Sequence, residues 1–168
     1  MDGPLHFIGS AALGAILLMA VALFWGLGRL MKALGPSKPK VVCLELPGST
    51  KRANEIIGAW KRRDAVDGAR YAIYVDFAYL ITYGVLIAAI GSLLGRAEDN
   101  EDLSALVTYI GLAAPLLDAG ENFLMLAMLK RGTGQPLPAL TTLVAGVKWA
   151  LIVVAAVAIG VLLVQAVL

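Results

Sequence analysis

Four ionisable side chains interrupt otherwise apolar runs in this chain: Asp76, Asp118, Glu121 and Lys148. Each costs roughly 2.5–3.5 kcal/mol near the centre of a membrane helix, so four left unmatched would cost about 10–14 kcal/mol. They are therefore expected to be matched or neutral. Asp118, Glu121 and Asn122 are spaced i, i+3 and i+4, which places them on one helix face, and that stripe runs back through Pro115, Gly111 and Thr108. Asp76, Tyr79 and Tyr83 share a face at i, i+3 and i+7, which sets phenol donors beside a carboxylate.

Three acids against one base leave a formal −2. The expected arrangement is an ion pair of Lys148 with Asp118 or Glu121, the remaining carboxylate being protonated or bound to a Tyr hydroxyl. Asp76 lies shallow enough to meet headgroups or Arg70 instead. Two chemistries fit such a cluster. One is polar glue, buried hydrogen bonds worth about 1 kcal/mol or less each that specify helix packing. The other is a proton-linked or cation-binding pocket, because intramembrane acids that face an interior mark ion and substrate paths. Lys148 already supplies a positive charge in the same slab, which argues against a metal.

The elements that must carry these residues are long apolar helices. Of 168 residues 60% are hydrophobic and 15% charged, against about 45–50% and about 25% in an ordinary soluble domain. The apolar excess falls in four runs, predicting helices over about 7–32, 71–94, 103–129 and 138–167. The first run, Phe7 to Gly28, covers about 33 Å, enough for a hydrocarbon core of about 30 Å. Its basic residues Arg29 and Lys32 follow the apolar stretch rather than precede it, so it reads as a retained helix and not a cleaved signal. Short links join the last three helices. The expected fold class is therefore all-α, an integral membrane four-helix up-down bundle in a single membrane domain. Counting back along the helices puts Asp76, Glu121, Lys148 and Asp118 in one slab, about 9 to 18 Å from one membrane face.

The net charge of +2 is a sum of unlike zones. Twelve of the fourteen Lys and Arg fall on the side of the first connecting segment and the link before the last helix. Arg96 alone sits on the other side, among Glu98, Asp99, Glu101 and Asp102. The excess of basic residues predicts a cytoplasmic first loop and both termini on the non-cytoplasmic side.

That loop, 33–70, opens with a Pro- and Lys-containing linker, continues through the short apolar stretch Val41 to Leu46, and turns at Pro47-Gly48. Ser49 or Thr50 can then cap a short amphipathic helix over about 50–63, with Ala53, Ile56, Ile57 and Trp60 on its apolar face. Lys51, Arg52, Lys61, Arg62 and Arg63 lie on the other faces, and with Trp60 they form a candidate membrane-surface set for anionic lipid. The alternative is a loop helix that closes the cytoplasmic face. Asp64 and Asp67-Gly68-Ala69-Arg70 resemble the opening of the CDP-alcohol phosphatidyltransferase signature. The rest of that signature does not follow Arg70, so Asp64 reads as a cap for the second span and Asp67 as a charge on its N-terminal dipole.

A single Cys, Cys43, and a single His, His6, exclude disulfide frameworks, thiolate clusters and multi-imidazole haem or zinc sites. No cofactor, metal or nucleic acid is expected, and no residue is assigned a catalytic role. Ser and His are never placed as nucleophile and base within one slab, which argues against the usual hydrolase triad.

Leu44-Glu45-Leu46-Pro47-Gly48-Ser49 with Ala53, Ile56 and Trp60, then Tyr74 to Tyr79, Leu117 to Asn122 and Lys148-Trp149-Ala150, resembles a widespread group of small four-helix bacterial membrane proteins without an assigned activity. The resemblance implies a bacterial cytoplasmic (inner) membrane and the same polar residues, and it brings no reaction. Three classes of function remain open. The first is a non-enzymatic accessory or small-molecule or lipid-binding module around the cluster of Asp76, Tyr79, Tyr83, Asp118, Glu121, Asn122 and Lys148. The second is a small proton-coupled transporter, acting as a homodimer or in a larger complex. The third is a membrane enzyme acting on lipid or isoprenoid headgroups with Asp118 or Glu121 as general acid or base.

Overall fold

The computed structural model describes residues 4–97 and 100–165, with side chains for these except 4–13, 16 and 95–97. The described residues form six helices: α1 Pro4–Leu34, α2 Val42–Glu45, α3 Thr50–Lys61, α4 Val66–Ala97, α5 Glu101–Arg131 and α6 Leu137–Gln165. Four of them, α1, α4, α5 and α6, are long and apolar enough to cross a membrane. Outward-facing side chains confirm the solvent: Leu116 is 75% exposed and Phe123 65%, while Lys148 and Glu121 are buried. Apolar groups outside and charges inside invert the arrangement of a water-soluble domain, and this is a multi-pass membrane protein.

Each long helix begins earlier than the hydropathy pattern indicated, and α1, α4 and α5 also run two or three residues further. For α5 the reason is local chemistry rather than burial. Asn100 caps α5 by accepting the Leu103 N–H at 3.3 Å, and Glu101 and Asp102 in the first turn and Lys130 and Arg131 in the last complement the dipole. The end of the fourth predicted span, residues 166 and 167, lies outside the described residues, as do Glu98 and Asp99 of the acidic link.

The long helices pack in chain order. α1 rests on α4, α4 on α5 and α5 on α6, with a smaller contact between α4 and α6. The α4–α5 seam is the tightest, because Gly84 and Gly111 bring the two backbones together. A Cβ on Gly111 would stand 2.7 Å from the Ala88 nitrogen and 2.8 Å from the Gly84 oxygen. Pro115, which has no N–H to offer the Gly111 carbonyl, packs on the same spot, so the small-residue part of the α5 stripe serves the seam. Ser104 donates to the Gly91 carbonyl at 3.0 Å further along it.

One end of the helix row is closed by α3. Ser49 caps this helix by accepting the Arg52 N–H at 3.2 Å. Its apolar face, Ala53, Ile56, Ile57 and Trp60, is buried with Leu44 against Ala69 and Ile73 of α4 and Met125 and Met128 of α5. Trp60 is 0% exposed and donates its indole N–H to the Pro39 carbonyl at 2.7 Å. The expected placement of Trp60 among lipid headgroups is therefore corrected: a side chain on the inner stripe is consumed by the core it helps to make. Thr133, in the α5–α6 link, donates to Asn54 at 2.6 Å and ties α3 down from the other side.

The expected capping role of Asp64 is corrected as well. Asp64 has φ 53° and ends α3, with the Ala65 N–H reaching the Trp60 carbonyl at 2.9 Å and the Asp64 N–H that of Lys61 at 3.3 Å. That is the left-handed helix stop, which Asp tolerates better than most residues. Asp67 does sit in the first turn of α4, where it pairs with Arg70 at 2.8 Å.

Candidate functional site

Lys148 is the centre of the polar cluster. Its Nζ lies 2.9 Å from Asp118 Oδ1, 2.9 Å from Glu121 Oε2 and 3.5 Å from Glu45 Oε2. Asp118 spends its second oxygen on Tyr83, whose hydroxyl donates to Oδ2 at 2.9 Å. Lys148 thus binds both α5 carboxylates, where the sequence left a choice between them, and Tyr83 and Lys148 meet on the same acid.

Asp76 joins by a different route. Arg70 is engaged by Asp67, and Asp76 instead accepts the Asn122 Nδ2 at 2.7 Å. Glu121 and Asn122 are both wholly buried, and each keeps an oxygen without a hydrogen-bond partner: Glu121 Oε1 and Asn122 Oδ1. Glu121 Oε2 lies at ion-pair distance from Lys148 but off the hydrogen-bond direction, so that contact is electrostatic. Tyr79 does not bond an acid. It stacks on Phe24 of α1 at 4.7 Å between ring centroids and meets Tyr83 edge-on at 6.1 Å.

Glu45 is the residue that sequence reasoning missed. It ends the four-residue α2 and is delivered to α6 by its neighbour Leu44, which is 0% exposed in the core beneath α3. The segment is held on both sides: before it the Pro39 carbonyl binds Trp60, and after it the Gly48 N–H, in a turn with φ 66°, donates to Thr142 of α6 at 2.8 Å. A glutamate inside the apolar stretch Val41 to Leu46 was the available signal. Burial pushes the Glu45 carboxyl above its ordinary range, the Lys148 ammonium opposes this, and the Asp118 carboxylate adds to it. With Glu45 included, the cluster holds four carboxyls, three of them around the Lys148 ammonium and Asp76 on Asn122, against one cation, a formal −3.

Two cavities border the cluster. A groove of about 500 Å³ runs between α1 and α6 over α4, walled by Phe24, Met31, Tyr79, Trp149 and Ile152, with Tyr83, Asp118 and Lys148 on its floor. A second cavity, about 510 Å³, opens beside the linker after α1, where Lys32, Ser37 and Lys40 form its rim and Asn122 and Met125 its far wall. The two share Met31, Val42, Glu45 and Asp76. A third crevice, about 390 Å³ between α4 and α5, is lined by Gly84, Ala88, Pro115 and other residues without charge. Among the described residues no group of three His, Cys, Asp or Glu side chains is arranged to hold a metal ion.

The basic set of α3 points outward. Lys51, Arg52, Lys61, Arg62 and Arg63 are all exposed; Arg52 pairs with Glu55 at 3.1 Å and Arg63 donates to the Lys38 carbonyl. Scans of the chain against family models, curated proteins and solved structures find no match.

Proposed function

We propose that this chain is a non-enzymatic binding module of a bacterial inner membrane, which accepts an amphipathic small molecule or lipid in the groove between α1 and α6. The groove carries this reading. It is of ligand size, its walls are apolar and aromatic, and its few polar groups converge on one floor, the pattern of a small-molecule site. α1 is held to the rest through α4 and α6 mainly through α5, so the gap between them faces the bilayer and an apolar tail can enter sideways.

In the membrane the chain crosses four times in alternating directions, with both termini outside and α3 at the cytoplasmic face, as the excess of Lys and Arg on that side favours. The exposed Lys51, Arg52, Lys61, Arg62 and Arg63 then meet anionic headgroups, at about 1 kcal/mol per cation. A reporter fused at Leu168 that worked only in the cytoplasm would reverse this topology.

The groove itself is tested with Val42→Trp, which puts a large ring where the two cavities meet but replaces an exposed side chain. Native mass spectrometry of wild type should retain a co-purified lipid or amphiphile that the variant loses. Equal retention by both would sink the reading. Proton-coupled transport by a dimer is the second reading, favoured by the lining shared at Glu45 and Asp76, which joins the basic rim to the intramembrane groove. Proton flux in vesicles that Glu121→Gln abolishes would select it.

A further inference from the structure

Around Asp76 and Asn122 the donors of the polar cluster are already committed. The Lys148 ammonium faces Asp118, Glu121 and Glu45, the Tyr83 hydroxyl is given to Asp118, and the Asn122 amide nitrogen is given to Asp76. What remains at Asp76 and Asn122 is acceptors. Asp76 uses Oδ2 for Asn122 and forms no ion pair with any described cation, yet it lines both cavities. Asn122, on the wall of the second cavity and 0% exposed, holds Oδ1 without a partner. A buried acceptor left open carries its full desolvation cost, and a carboxylate a larger one.

Resting on the groove reading, we infer that the occupant is a cationic amphiphile with a primary ammonium head, bound at Asp76 and Asn122 with its apolar tail in the α1–α6 groove. A primary ammonium supplies what is lacking, three N–H donors and a positive charge. A quaternary ammonium supplies the charge but no donor, and a carboxylate or phosphate head would add acceptors to acceptors. Phe24, Tyr79 and Tyr83 line the groove, and aromatic rings attract a cation. Lys32 and Lys40, both exposed on the other rim, repel one. The ammonium therefore arrives from the bilayer side.

The test is calorimetric titration of the full chain in phosphatidylcholine nanodiscs, against empty nanodiscs, with decylamine, decyltrimethylammonium, decanol and decanoate. Decylamine should bind at least tenfold tighter than decanol, decyltrimethylammonium more weakly than decylamine, and decanoate weakest. Asp76→Asn should erase the tenfold advantage and leave decanol binding as it was. Decylamine binding that is equal in wild type and Asp76→Asn, or decanoate binding as tightly as decylamine in wild type, overturns the inference. The wild-type series decides alone if the variant does not fold. Decanol binding that Val42→Trp removes, with no preference for the amine, keeps the groove and discards the cation; no binding by any probe discards both. Competition by phosphatidylethanolamine nanodiscs supports a lipid headgroup as the source of the ammonium, and its absence supports a free amine.

Discussion

The Glu45 carboxylate reaches to 3.5 Å from the Lys148 ammonium across 103 residues of chain. Because Lys148 also holds Asp118 and Glu121, one side chain of α6 joins α6 to α5 and both to the segment that follows α1. Charges desolvated in this way repay their burial only through one another. The cluster therefore behaves as a unit, and the consequences of breaking it depend on which member is removed.

Removing the single cation is the severest change. Lys148→Met should cost about 3–5 kcal/mol, since it leaves Asp118, Glu121 and Glu45 facing one another without compensation. Adding Asp118→Asn and Glu121→Gln to the same chain should recover part of the loss. Unfolding in mixed micelles measures both, and a wild-type midpoint for Lys148→Met would show that the ion pairs carry no net weight.

Leu44→Ala should loosen the delivery of Glu45. The substitution truncates a wholly buried side chain, at a cost of about 2–5 kcal/mol. Cys43 next to it is the only thiol in the chain, so maleimide labelling reads the local opening directly. The variant should label several-fold faster than wild type, and an unchanged rate would mean that Gly48 and Thr142 hold the segment without Leu44.

Stability should fall as pH rises through the Glu45 window. A carboxyl raised in the folded state binds more protons there than in the unfolded chain, so folding is favoured below the window and loses that advantage as pH climbs from the ordinary glutamate range to the raised value. Glu45→Gln removes the titrating group. Its melting temperature, followed against pH, should decline less steeply than that of wild type; parallel curves would exclude Glu45 as the cause.

At the α4–α5 seam, Gly111→Ala should destabilise by about 1–3 kcal/mol, because the added methyl meets backbone at 2.7 Å and 2.8 Å rather than a flexible side chain. Gly146→Ala on α6 is the matched control. Nothing lies within 4 Å of its added Cβ, so it should be neutral or stabilising by up to about 1 kcal/mol. Similar melting temperatures for the two variants would mean the seam is looser than its glycines imply.

Much of the architecture was legible residue by residue. Long apolar runs located four long helices, and the i, i+3, i+4 spacing of Asp118, Glu121 and Asn122 placed them on one face, all three buried. The basic helix after Ser49 was legible too, but whether its Trp60 would meet lipid or core was not. Amphipathicity marks a face to be covered and leaves open what covers it.

Sequence alone determined that the chain belongs in a membrane, where its helices run and which charges are anomalous there, because hydropathy and helical periodicity are local properties of the chain. Tertiary structure decided the partners. Glu45 lies in an apolar stretch too short to span, and it became part of the cluster because Leu44 is buried beneath α3 while Trp60 and Thr142 hold the chain on either side. Arg70 and Asp76, six residues apart on α4, point about 120° away from each other around that helix, and the packing of α4 on α5 gave Asp76 to Asn122. Such pairings depend on relative depth and rotation of elements far apart in the chain, which are set only when the Gly84–Gly111 seam and the core beneath α3 have packed.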